Sequence, residues 1–175
     1  QELADQYSFT DEHIEHIFMF SPLHDVGKIG VPDNILLKPG GLNYEEFEII
    51  KQHTSKGREI IDTIMEDFSL DSFKNVDMLR NITELHHEAI AGSGYPNGLK
   101  GKNSPIEARI IAVADMFDAL TSVRPYKERW SNDDAYAMLE KLSGTKLDKD
   151  CVDALVKRRT EVEKIQQKFY ENNFW

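Results

Sequence analysis

"LHDVGKIGVPDNILLKPG", residues Leu23 to Gly40, sets a histidine beside an aspartate, a lysine four positions after the histidine, and then a loop bounded by Pro32 and Pro39. Two readings compete for the pair His24-Asp25: a metal site, or two polar residues where a helix ends. What surrounds the stretch is helical. Upstream, Thr10 can cap a helix whose Ile14, Ile17 and Phe18 fall at i, i+3 and i+4, with Asp11 and Glu12 in the favourable first turn. Pro22 should kink or end that helix just before His24.

Downstream, Asn43 with Glu46 three residues on resembles a capping box, and Phe47, Ile50, Thr54, Gly57, Ile61 and Ile64 keep helical spacing. Gly57 there would allow close packing. A third stripe, Leu79, Ile82, Thr83, His86 and Ile90, runs to a break at Gly92. In "SPIE", Ser104 is the expected cap, with Pro105 in the first helical position and Glu107 in the third, opening an apolar helix through Leu120. Ser131 and Gly144 bracket another helix, and Asp148 starts a long charged one. No strand period, internal repeat or low-complexity segment interrupts this pattern. The expectation is one all-α domain over residues 1–175, a helical bundle with two functional-looking loops at 27–42 and 91–104.

Composition narrows the function. A chain of 175 residues with 40% hydrophobic content can bury a sizeable core. No apolar run approaches the roughly 18 residues of a membrane span, so no membrane insertion is expected. One cysteine, Cys151, can form neither an internal disulfide nor a thiolate zinc site, which fits a reducing, cytoplasmic setting. The net charge of -10 argues against a nucleic-acid polymer as partner. A phosphate-bearing ligand would need local cations, either metal ions or a few placed Lys and Arg.

The histidines differ in kind. His13 and His16 lie among acidic residues in a turn expected to be solvated and read as surface residues. His24, His53, His86 and His87 are better placed, although a single histidine on an apolar face is more often a hydrogen-bonded core residue. If the helices carrying His24-Asp25, His53, His86-His87 and Asp115 pack around one centre, up to four imidazoles and two carboxylates converge. Burying so many polar groups is costly without a partner, and divalent cations would supply one. Nitrogen and carboxylate donors without thiolate suit iron, manganese, zinc or nickel, and more than four donors suggest two or more ions. Asp115 has a plain alternative, pairing with an arginine, and Asp118 competes for its role. Lys28 is either solvated or placed to neutralise charge on a phosphate oxygen.

"HDVGK", then "HHE", "GSGYPNGLKG" and "VADMFDALTSVRPYKE" together resemble the HD-GYP family, a branch of the HD-domain metal-dependent phosphohydrolases. The match in order, loop type and spacing runs from about Leu23 to Lys127. The resemblance implies an HD-type helical bundle holding two or three divalent metals, iron first, with manganese, nickel or zinc as alternatives. It implies hydrolysis of the second messenger cyclic di-GMP, or a related cyclic dinucleotide, to the linear pGpG or to GMP in a bacterial cytoplasm. It also implies metal ligation by His24, Asp25, His53, His86, His87 and Asp115, with Asp25 bridging two ions and Lys28 as the catalytic lysine. Arg124 and Lys127 match positions that contact substrate phosphates, and Gly94, Tyr95 and Pro96 are the GYP signature.

Departures from the family pattern sharpen the expectation. A preceding helix with a further histidine ligand is usual, whereas only 23 residues precede His24, so the chain is expected to be a domain lacking that helix. Ala91 stands where an acidic residue is usual, and Pro22 where a small helix-former is. Two other readings therefore stand beside the phosphodiesterase: a sensor or adaptor that binds the dinucleotide, or a signalling protein through the GYP loop, without turnover; and an HD phosphohydrolase for another phosphoester. The C-terminal helix is a candidate homodimer contact.

Overall fold

Asp11 to Phe20 form a helix for the reason the sequence gives: the Thr10 hydroxyl accepts from the His13 amide, and Ile17 and Phe20 turn inward. The computed structural model describes residues 2–70, 74–122 and 129–171. In chain order its helices are α1 (Ala4–Tyr7), α2 (Asp11–Phe20), α3 (Asp33–Leu36), α4 (Tyr44–Lys51), α5 (His53–Asp67), α6 (Val76–Leu85), α7 (Ile106–Thr121), α8 (Asn132–Leu142), α9 (Lys149–Lys157) and α10 (Arg159–Glu171). Short 3-10 turns occupy Ser21–Leu23, Val26–Gly30 and Gly101–Asn103. Among the described residues, extended pairing is limited to isolated bridges such as Ala91 with Lys100. The fold is all-α.

Two apolar clusters share one helix. Ile17, Phe20, Ile61, Met65, Met78, Leu79 and Ile82 gather against Ile111 of α7. On the other side, Val113, Phe117 and Leu120 of α7 meet Ala135, Tyr136 and Leu139 of α8 and Cys151 and Val152 of α9. A helix apolar around most of its circumference must be covered on more than one side, and α7 is.

Several boundaries differ from expectation. Phe18 is 79% exposed, because Ile17 and Phe20 define the buried face of α2. His13 and His16 are half-buried rather than solvated, their rings stacked on Phe9 and Phe20. The Asn43–Glu46 capping box forms, but the helix it opens is interrupted at Gln52. Ile64 then falls at the rim of the buried stripe, which continues through Met65. Helix α6, which carries the Leu79 stripe, stops at Leu85, so His86 is its C-cap and Ile90 lies beyond it. His86 explains the stop: its ring N–H donates to the Ile82 and Thr83 carbonyls of the last turn.

Ser104 does not cap α7. Its hydroxyl is buried without a hydrogen-bond partner, Pro105 precedes the first helical residue, and the Glu107 carboxylate accepts from Asn81 of α6 instead of closing a capping box. A tertiary partner has displaced the local one. The C-terminal helix is two helices, parted at Arg158 (φ -106°, ψ 28°), whose guanidinium meets Glu2 together with the Lys157 ammonium.

Asp148 caps α9 through the Asp150 and Cys151 amides and accepts from the buried Arg109 of α7 at 2.5 Å. Burial alone would raise its pKa, but the Arg109 guanidinium and the amides outweigh it and hold the carboxyl below its usual range. A carboxyl with a lowered folded pKa stabilises above its unfolded value and loses that contribution as pH falls through the folded one. Asp148→Asn keeps the cap and removes the charge, so urea unfolding at neutral pH should show a loss of about 2–4 kcal/mol. The gap to the unchanged protein should stay constant down to about pH 4 and narrow below it.

Candidate metal centre

Gly27 brings the two halves of the site together. The 3-10 turn Val26–Gly30 lies on the first turns of α5 so closely that a Cβ on Gly27 would sit 1.9 Å from the His53 carbonyl oxygen and 2.4 Å from the Gly57 nitrogen. Only glycine tolerates that approach. Gly57 in turn leaves room for Thr83 of α6, whose Cγ2 would be 2.5 Å from an added Cβ. Three segments are thereby drawn to one point.

At that point, one donor atom from each of Asp25, His53, His86 and His87 lies within 4.8 Å of the others. His53 Nε2 is 3.4 Å from His86 Nε2 and 3.4 Å from Asp25 Oδ1. His24 Nε2 lies 3.3 Å from Asp25 Oδ2 and 3.8 Å from Asp115 Oδ1, so α7 contributes to the edge of the same cluster. The Lys28 ammonium donates to Asp25 Oδ2. Four of the six residues singled out as ligands share one point, His24 and Asp115 stand at its edge, and Asp118 forms instead a local hydrogen bond with Ser122.

The donor set fits a cation. Asp25 Oδ1 is buried with no hydrogen-bond partner, which is costly for a carboxylate unless something positive meets it. His24, His53 and His86 each place Nδ1 against a backbone carbonyl, Ser21 at 2.7 Å, Ile50 at 2.7 Å and Ile82 at 3.0 Å. A carbonyl accepts only, so Nδ1 carries the proton and Nε2 faces the cluster, the arrangement that orients imidazoles for metal ligation.

Charge follows from burial. Desolvation, helped by the neighbouring imidazoles, pushes His86 down to about 3 and His87 to about 4, and lowers His53 as well. Burial thus favours the neutral form of all three rings. Burial would also lower His24, but Asp115 and Asp25 override it and raise it to about 10. Burial would raise Asp25, yet His24 and Lys28 hold its carboxyl well below the usual range. Asp115, against the same burial, is lowered by His24.

The loop 91–104 roofs the cluster. Gly94 passes where a Cβ would lie 2.2 Å from the Ala89 nitrogen and 2.5 Å from the His87 carbonyl. The Tyr95 ring then rests 4.8 Å from His87, and the Tyr95–Pro96 bond is cis. Sequence reasoning missed the residue that holds this loop. The buried Glu88 carboxylate accepts from the Asn97 amide at 2.7 Å and the Leu99 amide at 2.8 Å. Its signal was the third letter of "HHE", an acidic residue directly after two candidate ligands. Arg124 and Lys127 lie outside the described residues.

Comparison with known proteins shows the family. Residues 1–151 match the family described as "HD domain". The chain is 46% identical over 167 residues to the cyclic di-GMP phosphodiesterase response regulator RpfG of Xanthomonas campestris, covering 95% of this chain and 42% of that protein. It is 40% identical over 166 residues to a cyclic di-GMP phosphodiesterase of Thermotoga maritima, covering 95% and 43%. Against the 3'3'-cGAMP-specific phosphodiesterase 2 of Vibrio cholerae the figures are 36% over 161 residues, 92% and 30%. The chain thus spans less than half the length of these curated relatives.

Asp25→Asn preserves shape while removing the unpartnered anionic oxygen. Its divalent-metal affinity, measured by chelator competition and elemental analysis, should fall about 100-fold or more, with the circular dichroism spectrum unchanged.

Proposed function

The chain belongs to the HD domain family, and from that premise we propose that it is a metal-dependent phosphodiesterase domain that opens a cyclic dinucleotide, cyclic di-GMP first, to linear pGpG or GMP. One observation carries the reading: four donors within 4.8 Å, His53 and His86 buried, Asp25 and His87 half-buried, with an unpartnered Asp25 oxygen among them and a lysine beside it. In this reading His24, Asp25, His53, His86, His87 and Asp115 hold two or three divalent ions, iron first, with manganese, nickel or zinc as alternatives. Bound there, such ions supply a water-derived nucleophile at neutral pH and Lewis-acid stabilisation of phosphoryl oxygens.

The chain's own groups do the rest. Nε2 lone pairs on His53 and His86, and the imidazole of His87, all pushed toward the neutral form by burial, are ready for ligation without first losing a proton. Lys28 fixes the Asp25 carboxylate through one N–H and has two further donors for a phosphate oxygen that gains charge during attack. Arg124 and Lys127 are proposed to hold the phosphates on the strength of the "RPYK" motif. Tyr95, seated on His87 between Gly94 and Pro96, closes one side of the site against water.

The names of the relatives support a cyclic dinucleotide, and both cyclic di-GMP and 3'3'-cGAMP enzymes are among them. Among the described residues no helix is long and apolar enough to cross a membrane. A reducing bacterial cytoplasm is the compartment we favour, given one buried cysteine. A protein partner at the loop 91–104 and a homodimer through α10, where Ile165 and Phe169 are exposed, complete the proposal.

Anaerobically prepared, metal-counted protein should convert cyclic di-GMP to linear products resolved by chromatography. Lys28→Met should lower kcat about 100-fold or more. Tight binding of cyclic di-GMP with no product from fully loaded protein would replace the enzyme with a sensor.

A further inference from the structure

One exposed feature beside the metal centre is unused by the chemistry above. Tyr44, Phe47 and Lys51 fall at i, i+3 and i+7 of α4 and so share a face of that helix. Tyr44 is 78% exposed and Phe47 44% exposed. The Phe47 ring stands 6.3 Å from Tyr95 at 85°, and Tyr95 rests on His87. The Lys51 ammonium lies 5.4 Å from the Phe47 centroid and 5.6 Å from that of Tyr95. A line of rings therefore leads from solvent to a proposed metal ligand, with one cation at its middle.

We propose that this face binds a nucleobase of the substrate and that Lys51 selects guanine over adenine; the inference rests on the cyclic-dinucleotide reading. Aromatic rings left open to water beside a phosphate-chemistry site offer stacking surface, and stacking accepts any base because every base has a π face. Discrimination must come from hydrogen bonds. Lys51 is donor-only; one N–H is taken by Glu48 at 2.6 Å, and two remain. Guanine presents two adjacent acceptors, O6 and N7, on one edge, whereas adenine replaces O6 with an amino donor that an ammonium cannot satisfy. The ammonium thus rewards guanine and repels the adenine amino group. Phe47 supplies affinity without choice.

The test pairs turnover with binding. On metal-loaded protein, kcat/KM is measured for cyclic di-GMP and cyclic di-AMP, and GMP and AMP are titrated by calorimetry, for the unchanged protein, Lys51→Met, Lys51→Arg and Phe47→Leu. Lys51→Met should cut kcat/KM for cyclic di-GMP about tenfold, leave any cyclic di-AMP turnover within about twofold, and erase the preference for GMP over AMP. Lys51→Arg, also a double donor, should keep the preference, and Phe47→Leu should weaken both bases alike. Equal losses for both bases in Lys51→Met, no loss at all, or an unchanged protein that binds GMP no more tightly than AMP would each overturn the assignment. If the unchanged protein turns over neither dinucleotide, the phosphodiesterase reading fails, while the GMP and AMP titrations still decide Lys51.

Discussion

The backbone contact at Gly27 is the constraint on which the site depends. With the turn after Asp25 pressed against the His53 carbonyl and Gly57, the pair His24-Asp25 meets the start of α5 at hydrogen-bond range instead of a side chain's width away. Gly57 passes the same closeness on to Thr83, and so to the end of α6 with His86 and His87. Two residues without side chains set the spacing of residues defined by theirs. A larger residue at either would have to move backbone, because the neighbouring atoms belong to main chain or to a buried threonine.

Electrostatics gives the assembled cluster a donor set suited to a cation. Three imidazoles kept neutral by burial, two carboxylates held ionised by one histidine and a lysine, and a carboxylate oxygen with nothing to accept from are together expensive to fold. The apolar clusters on either side of α7 provide the stability against which this cost is set. The second layer is arranged beforehand: carbonyls at Ser21, Ile50 and Ile82 fix the tautomers, and Glu88 fixes the roof. Folding therefore leaves little reorganisation for ligand binding.

Much of this was legible in the sequence where the cause is local. Helix starts at Thr10, Asn43, Ser131 and Asp148 were readable because a cap needs only its own side chain and the next few amides. That His24, Asp25, His53, His86, His87 and Asp115 belong to one place was implied by the family resemblance, and four of them lie within 4.8 Å of one another. Legibility failed where distant residues decide. Glu107 forsakes its own helix start for Asn81, and Arg158 breaks the C-terminal helix where Glu2 meets it. Glu88 was overlooked because its partners are backbone amides nine and eleven residues ahead, which no side-chain pattern announces.

Helix α7 has a consequence for how such a unit can be divided. One side closes the cluster built from α2, α5 and α6, the other closes that of α8 and α9, and Asp115 on the same helix reaches His24. Breaking the chain in the loop 91–104 would leave a front fragment with most of the proposed ligands but an open core, and a rear fragment with the missing wall and the last carboxylate. Neither fragment has a reason to fold alone, and each buries what the other exposes. A cut within the unit therefore opens both clusters at once, and the two parts depend on each other through α7.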